Sequence, residues 1–242
     1  MTLKIITLNI EGSKHLNKVL PFLKDQSADV ICLQEVFDFD FPKIKNYLGM
    51  DGSFYPMSNR TNPNTSYGQY GGKWGVCILT NLPHDDIKGK YYVGTGETPI
   101  FGKDENDDRV LVHTTVEKDN EKYTITTTHF YLTLDGMPTK EQWDAFNSLL
   151  KILKSLNEII LCGDFNAPRG RPMFKEFEKY YKDNLPLEID STIDTKYHKV
   201  KTLKLVVDTF FTTEKYMVSE MNVFDGLSDH KALVAKIILS EK

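Results

Sequence analysis

Cysteine is scarce in this 242-residue chain, which holds only Cys32, Cys77 and Cys162. All three lie inside apolar runs, and none has a spacing that suits zinc. A disulfide-stapled secreted scaffold and a thiol nucleophile are therefore disfavoured, and buried thiols in a reducing cytoplasm are expected. Long apolar stretches of the length needed to cross a bilayer are also missing, so no membrane partner is expected. The opening residues Met1-Thr2-Leu3-Lys4-Ile5-Ile6-Thr7 lack the basic start, apolar middle and small-residue cleavage site of a signal peptide, and they read as a first strand. Positive charge is not in excess either. A net charge of −4 argues against a protein that grips long nucleic acid by global electrostatics. Two local basic segments, Arg169 to Lys182 and Lys196 to Lys204 with His198, are open to two readings: steering of a charged substrate, or a solvated face. No Walker loop, dinucleotide fingerprint or Gly-x-Ser-x-Gly elbow occurs. Linkers, composition breaks and internal repeats are absent as well, so one domain spanning residues 1–242, monomeric, is expected.

Hydrophobic residues make up 40% of the chain, enough for a substantial core. Strands are expected at Leu3 to Asn9, Asp29 to Gln34, Val76 to Thr80, Arg109 to Glu117, Lys122 to His129, Glu158 to Gly163, Lys204 to Thr212 and His230 to Leu239. Lys118-Asp119-Asn120-Glu121 reads as a hairpin turn. Leu16, Val19, Leu20 and Leu23 form a helical stripe with Ser13 as a candidate N-cap, and Pro21 is expected to kink or shorten that helix. Lys43 to Leu48 suggests another helix. Thr139 to Ser155 is the clearest one, with a Thr139/Gln142 capping box and an apolar face of Trp143, Phe146, Leu149, Leu150 and Leu153. Ser53 to Lys73 is rich in Asn, Ser, Gly and Tyr and reads as a long loop. Its Tyr55, Tyr67 and Tyr70, with Trp74, are candidates for stacking on a substrate, although core packing is a rival for Trp74. The sum is an α/β chain with two mainly antiparallel sheets and covering helices.

Several strands end in polar residues that no core would select. Asn9 is followed by Glu11, Gln34 by Glu35, His129 by Tyr131, and the run Ile159 to Cys162 by Asp164 and Asn166, while Ser228-Asp229-His230 precedes the last apolar run. Asp164 and Asn166, two apart, would point the same way on an extended backbone. Alternatively they simply make Asx-turns. Each such residue has a structural explanation when taken singly. Packed sheets, however, bring strand ends together, which would collect carboxylates, carboxamides and two histidines around one point. Oxygen ligands such as Glu35, Asn9 and Asp229 suit Mg²⁺ or Mn²⁺. The histidines suit roles as base, acid or phosphate-neutralising donor.

In order, Leu8-Asn9-Ile10-Glu11-Gly12, Leu33-Gln34-Glu35-Val36, Thr128-His129-Phe130, Gly163-Asp164-Phe165-Asn166-Ala167 and Ser228-Asp229-His230 resemble the motifs of the endonuclease/exonuclease/phosphatase superfamily, the DNase I-like fold. The resemblance implies a four-layer α/β/β/α sandwich and metal-dependent phosphoester cleavage. It makes Glu35 the principal ligand of Mg²⁺ or Mn²⁺, with Asn9 and Asp229 in support and Glu11 farther out. Asp164 would orient or activate the attacking water, Asn166 would bind the scissile phosphate, and His230 and His129 would act on it from two sides. Asp208, in Val206-Val207-Asp208, would orient His230. Val207 stands where the family often has an aromatic residue, so a buried polar or turn role for Asp208 stays open. Arg109 sits where several branches carry a phosphate-binding cation, although an ion pair with the stretch Asp104 to Asp108 is equally open. Asn9-Ile10-Glu11-Gly12 and Leu33-Gln34-Glu35-Val36 are similar to the tyrosyl-DNA phosphodiesterase branch, which implies a DNA substrate, with a small-molecule or lipid phosphoester as the alternative. A silent binding module would be expected to have lost a central residue, yet Asn9, Glu35, Asp164, Asn166 and His230 are all present.

Overall fold

The computed structural model describes residues 2–62, 64, 71–102 and 107–240. In chain order the described elements are β1 (Leu3–Asn9), α1 (Leu16–Gln26), β2 (Val30–Phe37), α2 (Phe41–Leu48), β3 (Asp51–Asn59), β4 (Lys73–Thr80), β5 (Lys88–Val93), β6 (Arg109–Lys118), β7 (Glu121–His129), α3 (Lys140–Ser155), β8 (Ile160–Asp164), α4 (Pro172–Glu178), β9 (Lys182–Asp183), β10 (Asp208–Thr212), β11 (Tyr216–Phe224) and β12 (Ala232–Leu239). They form two six-stranded sheets, β11-β12-β1-β2-β4-β3 and β5-β6-β7-β8-β10-β9. No helix among the described residues is long and apolar enough to cross a membrane.

Alternation along the strands explains the layering. In β1, Leu3 and Ile5 enter the core between the sheets, while Ile6 and Leu8 join a second core with Val19 and Leu23 of α1 and Ile44 of α2. In β8, Ile160 and Cys162 face inward, while Leu161 packs outward against Phe146 and Leu149 of α3 and Phe174 and Phe177 of α4. Central strands are thus buried on both faces, and this is why they read as continuous apolar runs. Three cores separate four layers, giving an α/β/β/α sandwich. Each sheet contains a single parallel pair, β1–β2 and β7–β8, and every other pairing is antiparallel. Helices α1 and α3 are the two crossovers that parallel neighbours require.

Several local expectations need correction. Ser53 to Lys73 is not one loop: β3 covers its first part as an edge strand paired with β4. Tyr55 there packs against the inter-sheet core and donates its hydroxyl to the Ile87 carbonyl at 2.8 Å. Tyr67 and Tyr70 lie outside the described residues. Helix α1 starts after His15, and the Ser13 hydroxyl donates to Asp40 instead of capping it. Pro21 does not shorten the helix, which continues to Gln26. Thr139 caps α3 by accepting the Gln142 N–H at 3.3 Å, but the Gln142 amide turns away to donate to the Tyr131 carbonyl at 2.7 Å. The capping box is therefore half made. The hairpin at Asp119-Asn120 is present, with φ of 55° and 63° at its two central residues.

The β7–β8 pair depends on Gly163. Its φ is +142°, and a Cβ there would lie 2.1 Å from the Thr128 carbonyl oxygen on the neighbouring strand. Gly163→Ala is expected to destabilise the fold by about 2 kcal/mol or more in urea unfolding, since neither backbone can yield without breaking the pair.

Candidate active site

The C-terminal ends of both parallel pairs meet. Asn9 lies opposite Gln34, and His129 opposite Asp164. The Asn9 amide nitrogen donates to Glu35 Oε1 at 3.0 Å and to Asp164 Oδ2 at 3.1 Å, so one side chain links carboxylates from the two sheets. Its carbonyl oxygen accepts the Glu11 N–H at 3.1 Å. Asp164 is 1% exposed. Its Oδ1 accepts the Asn166 N–H at 2.9 Å, which is an Asx-turn. Its Oδ2 faces His129 Nε2 at 3.3 Å and His230 Nε2 at 3.8 Å as well as Asn9. The Asx-turn therefore occupies one oxygen of this carboxylate and leaves the other to meet Asn9 and the two histidines. On the far side of the ring, His230 Nδ1 lies 2.9 Å from Asp208 Oδ2, and Asp208 pairs directly with Asp164 in the sheet.

Electrostatics follow from this packing. Burial alone would lower the His230 pKa, but the Asp208 and Asp164 carboxylates hold it well above the ordinary histidine range. Burial alone would raise Asp164, yet His230 and His129 keep it well below the usual carboxylate value. Asp208 is raised by burial, with His230 opposing. Glu35 is also raised by burial, with His129 opposing and the Asp229 charge adding to the rise.

Glu35 reaches this centre through a β-bulge. Val30 and Cys32 face the inter-sheet core and Ile31 and Leu33 face outward, so unbroken alternation would send Glu35 outward under the helices. The pairing with β4 shifts between Leu33 and Val36, and Glu35 adopts φ 60°. Beyond it Val36 faces outward and Phe37 inward, and the Glu35 carboxylate is delivered to Asn9. Glu11 (φ 53°) and Asn166 (φ 47°) share this left-handed conformation, which costs non-glycine residues energy and clusters where function over-determines the backbone. Asn166 is thus not extended from Asp164 as the spacing suggested. One of its amide protons goes to the Phe130 carbonyl at 3.1 Å.

The remaining expected residues take varied places. Glu11 turns its carboxylate to Lys14 and to His15 Nε2 at 3.0 Å. Arg109 is buried, donates to the His129 carbonyl at 3.3 Å, lies 3.9 Å from Asp107 and sits 5.8 Å from the Tyr131 ring. It combines contact with the histidine strand and an ion pair. Trp74 is 3% exposed, with its ring 5.2 Å from His129 and 4.1 Å from the buried Arg60 guanidinium, so it backs the histidine and presents no open stacking face. Asp229 is partly exposed and accepts from Ser228 at 3.1 Å.

Two contributors escaped sequence reasoning. Arg60 carries no periodic signal and stands beside Trp74 only in three dimensions. Gln34 was visible only as a strand-end residue. Its amide donates to Thr7 in its own sheet and to Thr127 in the other, both at 3.1 Å, closing the polar floor beneath the site. Gln34→Leu is expected to lower stability by about 1–3 kcal/mol in denaturant titration, because buried hydroxyls lose their shared partner.

Two groups of side chains have donor chemistry that suits a cation. Asp164, Asp208 and His230 offer ligand atoms within 4.8 Å of one another. Those atoms, however, already engage each other, Asn9 and His129 in hydrogen bonds and ion pairs. Glu35 and Asp229 accept from Asn9 and Ser228 in their turn, but among the described residues no histidine stands against either at ion-pair distance. Each is partly exposed, with like charges that act on each other. A hard divalent ion with oxygen preference fits that pair, because it removes the repulsion.

Solved structures share this architecture. An endonuclease/exonuclease/phosphatase from Bacteroides vulgatus superposes with a TM-score of 0.76 at 17% identity, covering 99% of this chain and 100% of that one. The mannosyl-6-phosphatase of Bacteroides thetaiotaomicron gives 0.69 at 14% identity, over 98% of this chain and 99% of that one. ANGEL2, a 2′,3′-cyclic phosphatase in complex with adenosine-2′,3′-vanadate, gives 0.71 at 14% identity, over 98% and 95%. At such identities the likeness is one of fold. No curated protein matches by sequence. The model of the Endonuclease/Exonuclease/phosphatase family matches residues 6–230, from β1 through His230, and the chain therefore belongs to that family of phosphoester hydrolases.

Proposed function

We propose that the protein is a Mg²⁺- or Mn²⁺-dependent phosphodiesterase that cleaves a phosphoester in a nucleic-acid strand. The observation that carries this reading is the convergence on Asp164 Oδ2 of Asn9, His129 and His230, with Glu35 on the same Asn9 amide. A cation held by Glu35, with Asp229 and Asn9 beside it, would supply charge neutralisation at a phosphate oxygen and at the leaving oxygen.

The chain's own residues do the rest. Asp164, kept ionised by two histidines, orients the attacking water and accepts its proton. His230, kept protonated by Asp208 behind it, donates to a phosphate oxygen on which charge develops. His129 acts from the other side, its ring backed by Trp74. Asn166 spends one amide proton on the Phe130 carbonyl, which aims the second at the phosphate. Arg109 and Tyr131, at the end of the His129 strand, line the approach.

A cationic ledge supports a polyanionic substrate. His15, bonded to Glu11, lies 4.8 Å from the Tyr197 ring at a tilt of 56°, and the Tyr197 hydroxyl accepts from Lys18 at 2.6 Å. Lys14 and Lys196 extend the same rim. In a chain of net charge −4 this local excess of cations supports a reading in which the rim holds a phosphate backbone. A second reading, hydrolysis of a small sugar phosphate or cyclic phosphate, draws on two structural neighbours, a mannosyl-6-phosphatase and a 2′,3′-cyclic phosphatase.

Glu35→Ala is expected to lower turnover by about 10²-fold or more and to weaken Mg²⁺ binding in calorimetric titration. Wild-type turnover in EDTA would sink the metal assignment. Abasic DNA, 5′-tyrosyl DNA, single strands, sphingomyelin, inositol phosphates and sugar phosphates, each assayed with Mg²⁺ and Mn²⁺, separate the substrates. Cleavage of DNA is expected, and turnover confined to small phosphates or lipid would establish the second reading instead.

A further inference from the structure

Between β9 and β10 the chain runs from residue 184 to residue 207 without a helix or strand, yet Ser191, Thr192, Ile193 and Asp194 within it are all buried. This short strap touches both sheets at the site. We propose that Thr192 is a positioning residue that holds the His230–Asp208 pair in register, a role that rests on the phosphoesterase reading above.

Thr192 is 0% exposed. Its hydroxyl oxygen accepts two backbone N–H groups, from Val207 at 3.0 Å and from Asp208 at 3.1 Å. Those two amides belong to the first residue of β10 and the one before it, so the hydroxyl determines where the Asp208 side chain leaves the second sheet. The hydroxyl also interacts with the Asp208 carboxylate itself. The strap's backbone meanwhile brackets the histidine. Lys231 N–H donates to the Thr192 carbonyl at 2.7 Å, Asp194 N–H donates to the Asp229 carbonyl at 2.8 Å, and Ile193 pairs with His230 between them. Thr192 N–H is anchored on the Leu205 carbonyl at 2.9 Å, and Asp194 Oδ2 accepts the Gly226 N–H at 2.7 Å.

One residue thus touches the backbone on either side of a hydrogen bond whose partners come from different sheets. His230 precedes β12 of the first sheet, and Asp208 opens β10 of the second. Their 2.9 Å contact survives only if the two sheets keep their offset at this end. Thr192 is the shared reference for both. Its hydroxyl chemistry is specific: valine keeps the shape and orphans both amides, whereas serine keeps the acceptor.

The test compares Thr192→Val and Thr192→Ser with Asp208→Ala and the double variant Thr192→Val/Asp208→Ala, on the substrate the wild type turns over. Thr192→Val is expected to lower kcat by about tenfold or more with little change in KM, because the misplacement affects the reacting groups and not substrate capture. Thr192→Ser restores most of that loss. In the Asp208→Ala background Thr192→Val produces no further loss, since the pair it positions is already broken. A second readout needs no turnover: in protein labelled with ¹⁵N-histidine, the His230 Nδ1–H resonance should persist in Thr192→Ser and shift or broaden in Thr192→Val. If the valine variant does not fold, Thr192→Ala, which leaves room for a water at the two amides, is measured in the same way. Multiplicative losses in the double variant, or an unchanged kcat and resonance in Thr192→Val, would overturn the proposal. Wild-type turnover by Asp208→Ala would count against the histidine–aspartate step of the proposed function, and the His230 resonance would then decide the positioning role by itself.

Discussion

A carboxylate with 1% of its surface exposed must be compensated entirely by the protein, and Asp164 sets that condition for the whole molecule. Leaving such a charge without one of its partners costs about 3–5 kcal/mol. Its partners cannot come from nearby in sequence. Asn9 stands 155 positions away on the other sheet, and His230 arrives from the approach to the last strand. Meeting those donors fixes the offset of the two sheets at this end, and with it the positions of Glu35 and Asp208. The His230 imidazolium and the Asp164 carboxylate thereby stabilise each other's charged forms. Stability and chemistry depend here on the same contacts.

The space between the sheets changes character in steps toward that point. Ile5 opposite Val30 and Ile125 opposite Ile160 form an apolar layer. Two residues on, Thr7 opposite Cys32 and Thr127 opposite Cys162 are small and weakly polar. Two further, Asn9 and Gln34 face His129 and Asp164. Strand periodicity alone generates the series, because every second residue shares a face. The thiols serve as graded packing, and burial pushes Cys77 up to about 12, far from any nucleophilic role. Gln34 joins Thr7 to Thr127 across the sheets, and Asn9 joins Glu35 to Asp164, so these buried amides find their partners inside the protein.

Most of this was legible from residue patterns, because apolar runs ending abruptly in polar residues report where buried strands stop. Other features depend on geometry that a pattern does not carry. The Asp164–Asn166 spacing poses a choice between a turn and a residue aimed at the other sheet, whereas a carboxylate has two oxygens and does both. Glu35 reads as an acid just past a strand end, whereas β2 runs on to Phe37, and the bulge is what turns the carboxylate from the outward face to the site. Strand β3 hid in a composition typical of loops, since an edge strand with half-exposed faces shows little apolar periodicity. Gln142 looked like a capping partner because spacing cannot reveal the Tyr131 carbonyl waiting for it. Trp74, expected against a substrate, was claimed by the back of a histidine.

The order of the strands has a consequence for biosynthesis. The second sheet is contiguous in sequence, β5 through β10, whereas the first is split, with β1–β4 made before it and β11–β12 after it. A ribosome delivers Asn9 and Glu35 early, then the complete second sheet with His129, Asp164 and Asp208, and His230 only with the returning strand. Until β12 docks beside β1, the earliest strands have an open edge and Asp164 lacks its second histidine. A nascent chain therefore has most of its strands before Asp164 has all of its partners, and that buried charge is fully compensated only when the last strand closes the first sheet.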